Sequence, residues 1–171
     1  MPKIKNIDLS ELSKTTLDSF NILKCSPGAF TGGTDNTRGD KDGTKAVLPL
    51  FKVTGVVLAR IFAVGTVDLV GAATLEVGVA GNTASLIAQL ANATSISAGK
   101  IWSQASCALG VQLLSTVLGP YIVSAGHLGT ITIDEKVASA DITAGNLDYY
   151  ILWRPISPDG NVESLFPPAI S

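Results

Sequence analysis

Phe51-Lys52-Val53-Thr54-Gly55-Val56-Val57-Leu58-Ala59-Arg60-Ile61-Phe62-Ala63-Val64 is the stretch on which the fold turns. It is dense in Val, Ile, Leu and Phe and nearly continuous in its apolar content. Side chains of this kind fit a pleated, covered surface. The stretch therefore predicts a strand covered on both sides, or one split by a bend at Gly55.

Beyond it, shorter segments alternate with the two-residue period of half-buried strands. Ala73, Leu75, Val77 and Val79 alternate with Thr74, Glu76 and Gly78, and Ile131 and Ile133 alternate with Thr130, Thr132 and Asp134. Leu147, Tyr149, Ile151 and Trp153 alternate with Asn146, Asp148 and Arg154, while Tyr150 and Leu152 add apolar bulk to the second face. That segment is expected near the centre of a sheet. Turn signals separate these runs at Gly71, Gly81-Asn82, Ala98-Gly99, Gly119-Pro120, Gly126, Gly145 and Pro158-Asp159-Gly160. Seven or more short strands so punctuated predict an all-β chain, an antiparallel sandwich or barrel.

One internal echo joins two of the turns. Ser95-Ile96-Ser97-Ala98-Gly99 resembles Asp141-Ile142-Thr143-Ala144-Gly145, and each copy precedes a new strand. A repeated chain reversal is the physical reading, with glycine supplying a conformation that other residues resist.

Charge divides the chain. Of its 171 residues only 15% are charged, against roughly 25% in a typical soluble domain. Residues 1–45 hold 13 of the 26 charged groups, seven basic and six acidic; residues 46–171 hold the other 13, five basic and eight acidic. The expected organisation is an N-terminal arm over 1–45 and a sandwich domain over 46–171. Asp8 and Glu11 form a capping-box pattern ahead of Leu9, Leu12, Thr16 and Phe20, which predicts one short helix in the arm. Gly28 to Lys45 has no periodicity and reads as a loop or a segment ordered on assembly.

Neither part is a field of one sign, which disfavours nucleic acid as a partner. A body so poor in charge suits a subunit that buries its outside against neighbours, so a homo-oligomer is expected, with a trimer favoured. The start, MPKIKNIDLSEL, lacks the apolar core of a secretory signal. No Asp, Glu, Lys or Arg occurs between Ile101 and Ile133, but Gln104, Gln112, Gly110, Gly119, Pro120 and Gly126 interrupt that run, and a membrane span is not expected.

Chemistry is sparse. His127 is the single histidine, set among glycines, with no visible partner to orient it as a base. Cys25 and Cys107 match no metal spacing. Gly99-Lys100-Ile101 lacks the rest of a phosphate loop. Asp35, Asp40 and Asp42 with Gly43 lack the terminal glutamate of a calcium loop. Arg38-Gly39-Asp40 spells an integrin-ligand tripeptide that recurs by chance. Glu76, Asp134, Glu135 and Asp148 can be paired on paper for glycoside chemistry, though each also suits a strand face or turn. Trp102, Tyr121, Tyr149, Tyr150 and Trp153 sit among strand signals and are expected in the core. The expectation is a chain that is not an enzyme, with no catalytic, cofactor or metal residues.

The segment from Pro120 to Asn161 resembles the C-terminal strands of structural proteins from tailed-bacteriophage virions. The likeness lies in Asp141-Ile142-Thr143-Ala144-Gly145, Asp148-Tyr149-Tyr150, Trp153-Arg154-Pro155 and Ser157-Pro158-Asp159-Gly160. Val53 to Ala59, Ala63-Val64-Gly65 and Val77 to Thr83 add to it, so that the likeness spans about two thirds of the chain. The resemblance implies a jelly-roll-like sandwich acting as a capsid decoration (cement) or head-associated protein. Its partners would be the major capsid protein or other virion proteins, and its location the virion, assembled in the host cytoplasm. A carbohydrate- or receptor-binding sandwich of a spike or tail is the alternative.

Overall fold

In the computed structural model, residues 20–104, 106–109, 121–126 and 129–167 are described. Eleven strands occur among them: β1 (Asn21–Cys25), β2 (Val47–Thr54), β3 (Val56–Val70), β4 (Thr74–Val79), β5 (Asn82–Leu90), β6 (Lys100–Trp102), β7 (Cys107–Leu109), β8 (Tyr121–Ser124), β9 (Thr130–Ala138), β10 (Ala144–Pro155) and β11 (Asn161–Ser164). The chain is all-β, and its strands form two antiparallel sheets packed face to face as a sandwich.

The first sheet runs β1-β10-β3-β6-β7, with β8 also paired to β3. The second runs β11-β2-β9-β4-β5. Successive strands β1 to β4 alternate between the sheets, β4 and β5 form a hairpin, and β9 and β10 return between the earlier strands. With β6 and β8 sharing one edge of β3, the orders β1-β10-β3-β6/β8 and β2-β9-β4-β5 are those of an eight-stranded jelly roll, and β11 extends the second sheet. β10 is central, paired with β3 along most of its length and with β1 over Tyr149–Trp153.

The apolar stretch that decides the fold divides at Gly55. Its φ is +62°, and a Cβ there would come within 2.6 Å of the Asp159 carboxylate. Here the chain leaves the second sheet and enters the first, so β2 and β3 lie in opposite layers. β2 buries Leu48, Phe51 and Val53, and the register with β9 slips between Pro49 and Phe51, where proline has no N–H for the ladder. β3 buries Val57, Ala59, Ile61 and Ala63. Tyr149, Ile151 and Leu147 of β10 face the same core, against Leu75, Val77, Ile87 and Ile133 of the second sheet.

The two echo segments frame β3. β6 and β10 flank it on opposite sides, both antiparallel to it, and each is delivered by one copy of the motif. Ile96 and Ile142 are fully buried, and Gly99 and Gly145 take φ of +82° and +106°. The Leu69 N–H donates to the Ile96 carbonyl and the Thr143 N–H to the Val70 carbonyl, so both reversals hold the end of β3.

Residues read from the sequence as part of an arm also contribute to the sheets. β1 pairs with β10 over five residues, and Phe30, 1% exposed, plugs the core. The Gly32 N–H donates to the Ile142 carbonyl and the Ile142 N–H to the Gly39 carbonyl. Residues 21–45 are thus part of the sandwich, held by backbone hydrogen bonds and isolated anchors that leave no periodic trace. The helix expected around Asp8 and Glu11 lies outside the described residues.

Candidate functional site

The most unusual chemistry lies inside the sandwich. Glu135 occupies an inward position of β9, in phase with Ile131, Ile133 and Val137, and its side chain is 1% exposed. Arg38 reaches it from the loop between β1 and β2 through two hydrogen bonds, Nε to Oε1 at 3.0 Å and Nη2 to Oε2 at 2.6 Å. The same guanidinium donates to the Gly28 carbonyl and, at 3.4 Å, to the Asn146 side chain, and it stacks 3.8 Å over the Phe30 ring. The Tyr149 hydroxyl donates to Glu135 Oε2 at 2.5 Å. Burial, reinforced by the Glu135 charge, holds that hydroxyl well above its ordinary pKa, so it remains a donor. Burial opposes the charge on Arg38, and the neighbouring carboxylate more than reverses it. Every strong polar group here has a partner, which is the arrangement of a structural lock rather than of a reactive centre.

The other residues singled out in the sequence do not converge. In Arg38-Gly39-Asp40 both charged residues are buried, at 7% and 6% exposure, and both are engaged internally. Asp40 accepts from the Asn36 and Asp42 N–H groups, and these bonds hold its carboxyl below the usual range. That tripeptide offers no ligand surface. Glu76 and Asp134 project from the outside of the second sheet, Glu135 points into the core, and Asp148 lies on the outside of the first, so the carboxylates face three directions. Among the described residues no group of His, Cys, Asp and Glu could hold a metal ion. His127 lies outside them. Cys25 is buried, donates to the Leu50 carbonyl at 3.3 Å, and is pushed up to about 11 by burial. Trp102 and Tyr149 are core residues, as their strand context predicts. No helix among the described residues is long and apolar enough to cross a membrane.

The two outer faces differ sharply. On the second sheet, Glu76 accepts from Thr83 at 2.5 Å and from Gln89 at 2.9 Å and pairs with Lys136 at 3.2 Å, while Lys52 and Glu163 stand 3.8 Å apart. Burial alone would raise the Glu76 carboxyl, but its hydrogen bonds and Lys136 hold it below the ordinary carboxylate value. This is the hydrated face of an antiparallel sheet.

The first sheet presents more apolar side chains, interspersed with Lys24, Arg60 and Arg154. Three cross-strand rows run over it: Ile22-Leu152-Arg60, Lys24-Tyr150-Phe62, and Arg154-Leu58-Ile122. Ile22 and Ile122 are each 69% exposed. Phe62 and Tyr150 stack with centroids 5.3 Å apart and planes at 11°. Lys24 pairs with Asp148 at 2.7 Å, and that hydrogen bond raises its pKa. A cleft of about 340 Å³ opens beside this sheet, between the β4–β5 hairpin and β8, lined mainly by Val79, Leu86, Tyr121, Val123 and Ile131.

Sequence reasoning missed the lock. A carboxylate at position 135 of an Ile-x-Ile-x-Glu-x-Val alternation is the signal that a buried cation must meet it. Compared with known proteins, the chain matches no family model, no curated protein and no solved structure.

Proposed function

We propose that this chain is a non-enzymatic structural subunit of a tailed-bacteriophage virion, a capsid decoration (cement) protein that stabilises the shell through subunit contacts. The observation that carries the reading is the contrast between the outer faces. Polar side chains tie down the loop between β1 and β2 and dominate the outside of the second sheet, whereas the outside of the first offers a more apolar surface suited to protein contact. The jelly-roll order supports it by analogy, since viral coat proteins use that fold, but lectins and cupins use it too. The phrases from Asp141 to Gly160 that resemble virion structural proteins include β10 and its entry.

On this reading the partners are the major capsid protein and sister subunits, and the location is the virion, assembled in the host cytoplasm. The receptor- or carbohydrate-binding alternative loses Trp102, which is fully buried, and keeps the outward Phe62–Tyr150 pair as its platform.

The test is reconstitution. Purified chain is added to shells that lack it, and binding is read by co-sedimentation and shell stability by the temperature of DNA release. Saturable binding with a raised release temperature is expected. Absence of the chain from purified heads, or its confinement to tails, would overturn the proposal.

A further inference from the structure

We infer that the outer face of the first sheet is a self-association surface, occupied by further copies of this chain. This rests on the structural-subunit reading and names its first partner.

The inference begins with β3 and β10. Both carry apolar side chains on their outward as well as their inward face, at Leu58 and Phe62 of β3 and at Tyr150 and Leu152 of β10. The sandwich covers one side only, through Ile61, Ala63, Tyr149 and Ile151. On the other, Leu58, Phe62, Tyr150 and Leu152 form a continuous centre that extends to Ile22 at one edge and Ile122 at the other. Among these described residues the face is a sheet surface, shaped to meet another broad surface rather than to enclose a small molecule.

Its size fits a subunit contact. At ~3.3 Å per residue and ~4.8 Å between strands, the six strands of this sheet span roughly 650 Å² in flat projection. Side-chain relief adds to that figure, and a standard interface takes about 800 Å² from each partner. Of the charges on the face, Lys24 and Asp148 neutralise each other within one chain, Arg60 stands opposite Leu152, and Arg154 lies over the Phe20 ring. The hydrated outside of the second sheet is left to the solvent or the shell. Copies that share one patch meet as a two-fold pair, and copies that set one edge of the face against the opposite edge of the next close into a ring.

The experiment uses the full chain. Light scattering across a concentration series should give an integral multiple, two or more, of 17.6 kDa. Ile22→Lys/Ile122→Lys changes two side chains that are already mostly exposed, so the sandwich itself should tolerate them. Burying two ammonium groups in the contact should weaken association at least about thirtyfold, the loss typical of a removed hot spot. Thr130→Lys, on the exposed outside of the second sheet, is the control and should leave the mass unchanged. Circular dichroism verifies folding, and Leu152→Lys is the substitute should the double variant lose its spectrum.

Dissociation of the face variants with an intact control supports the inference. An oligomer that survives them but is split by Thr130→Lys overturns the assignment of the face and leaves the structural-subunit reading in place. A wild-type monomer at every concentration overturns self-association altogether. Shell binding by that monomer would still sustain the decoration reading, and failure of shell binding would remove it separately.

Discussion

Replacing Arg38 with alanine should be among the most damaging single changes to this fold. The substitution removes two hydrogen bonds to Glu135, at 3.0 and 2.6 Å, those to Gly28 and Asn146, and the stacking over Phe30. What remains matters more than what is lost. Glu135, 1% exposed, keeps only the Tyr149 hydroxyl as a partner among the contacts described for it. Leaving one member of a buried ion pair behind costs about 3–5 kcal/mol. Against a typical stability of 5–15 kcal/mol that is about a fifth or more of the total. At about 2–4 °C per kcal/mol for a chain of this size, the melting temperature should fall by roughly 10 °C. Urea unfolding followed by circular dichroism, at fixed protein concentration, measures the change. Arg38→Met combined with Glu135→Leu should cost less than the sum of the single variants, because no charge is then stranded. A loss under about 1 kcal/mol for Arg38→Ala would refute the reasoning, since it would mean that water reaches Glu135 and the lock is not dry.

Three further outcomes follow from the same geometry. Thiol labelling at pH 8 should modify Cys107 first and Cys25 only as fast as the chain unfolds, because a thiol held near 11 and buried presents roughly one thiolate in a thousand; equal rates would contradict this. The Glu76 carboxyl is depressed in the folded state, so its contribution is present above its unfolded value of about 4.3 and is lost as pH falls through the lower folded value; Glu76→Gln should flatten the acid limb of the stability profile, and an unchanged limb would reject that role. Gly145→Ala places a Cβ 2.4 Å from the Asp68 carbonyl at φ +106° and should cost about 2 kcal/mol or more, whereas Gly81→Ala, at φ +86° with nothing within 4 Å, should cost about 1 kcal/mol; urea midpoints rank the two.

The parts of the fold legible in the sequence are those with a period. Leu75 and Val77, Ile131 and Ile133, and Leu147 to Trp153 alternate because one side of each strand meets the core, and each lies in a strand of the structure. The bend at Gly55 and the centrality of β10 were readable for the same reason. Residues 21–45 were not, because their attachment rests on main-chain hydrogen bonds and on Phe30 and Arg38 singly, and single anchors generate no pattern. The Arg38–Glu135 pair spans 97 residues, so no local window contains both partners. The aromatic positions were read correctly as core where they sit inward, at Trp102 and Tyr149, while Tyr150 turned outward with its strand phase.

The distribution of charge then acquires a structural meaning. A monomeric jelly roll can keep both outer faces polar, as the second sheet does with Glu76, Lys136, Thr83 and Gln89. The first sheet forgoes that protection along its two longest strands, where Leu58, Phe62, Tyr150 and Leu152 stand at positions that solvent-facing strands fill with polar residues. An exposed apolar sheet face is an aggregation liability for a free chain. It becomes an asset where the chain is held among copies of itself, because the surface that endangers the monomer then supplies the driving force for assembly. The buried lock fits the same logic. By fastening the 26–45 loop to the core through Arg38, the fold fixes β1 against β10, and β1 carries Ile22 at the rim of that face. On the self-association proposed above, loss of the lock should weaken association as well as stability. Arg38→Ala examined well below its melting temperature should show a raised dissociation constant, and an unchanged constant would separate the lock from the face.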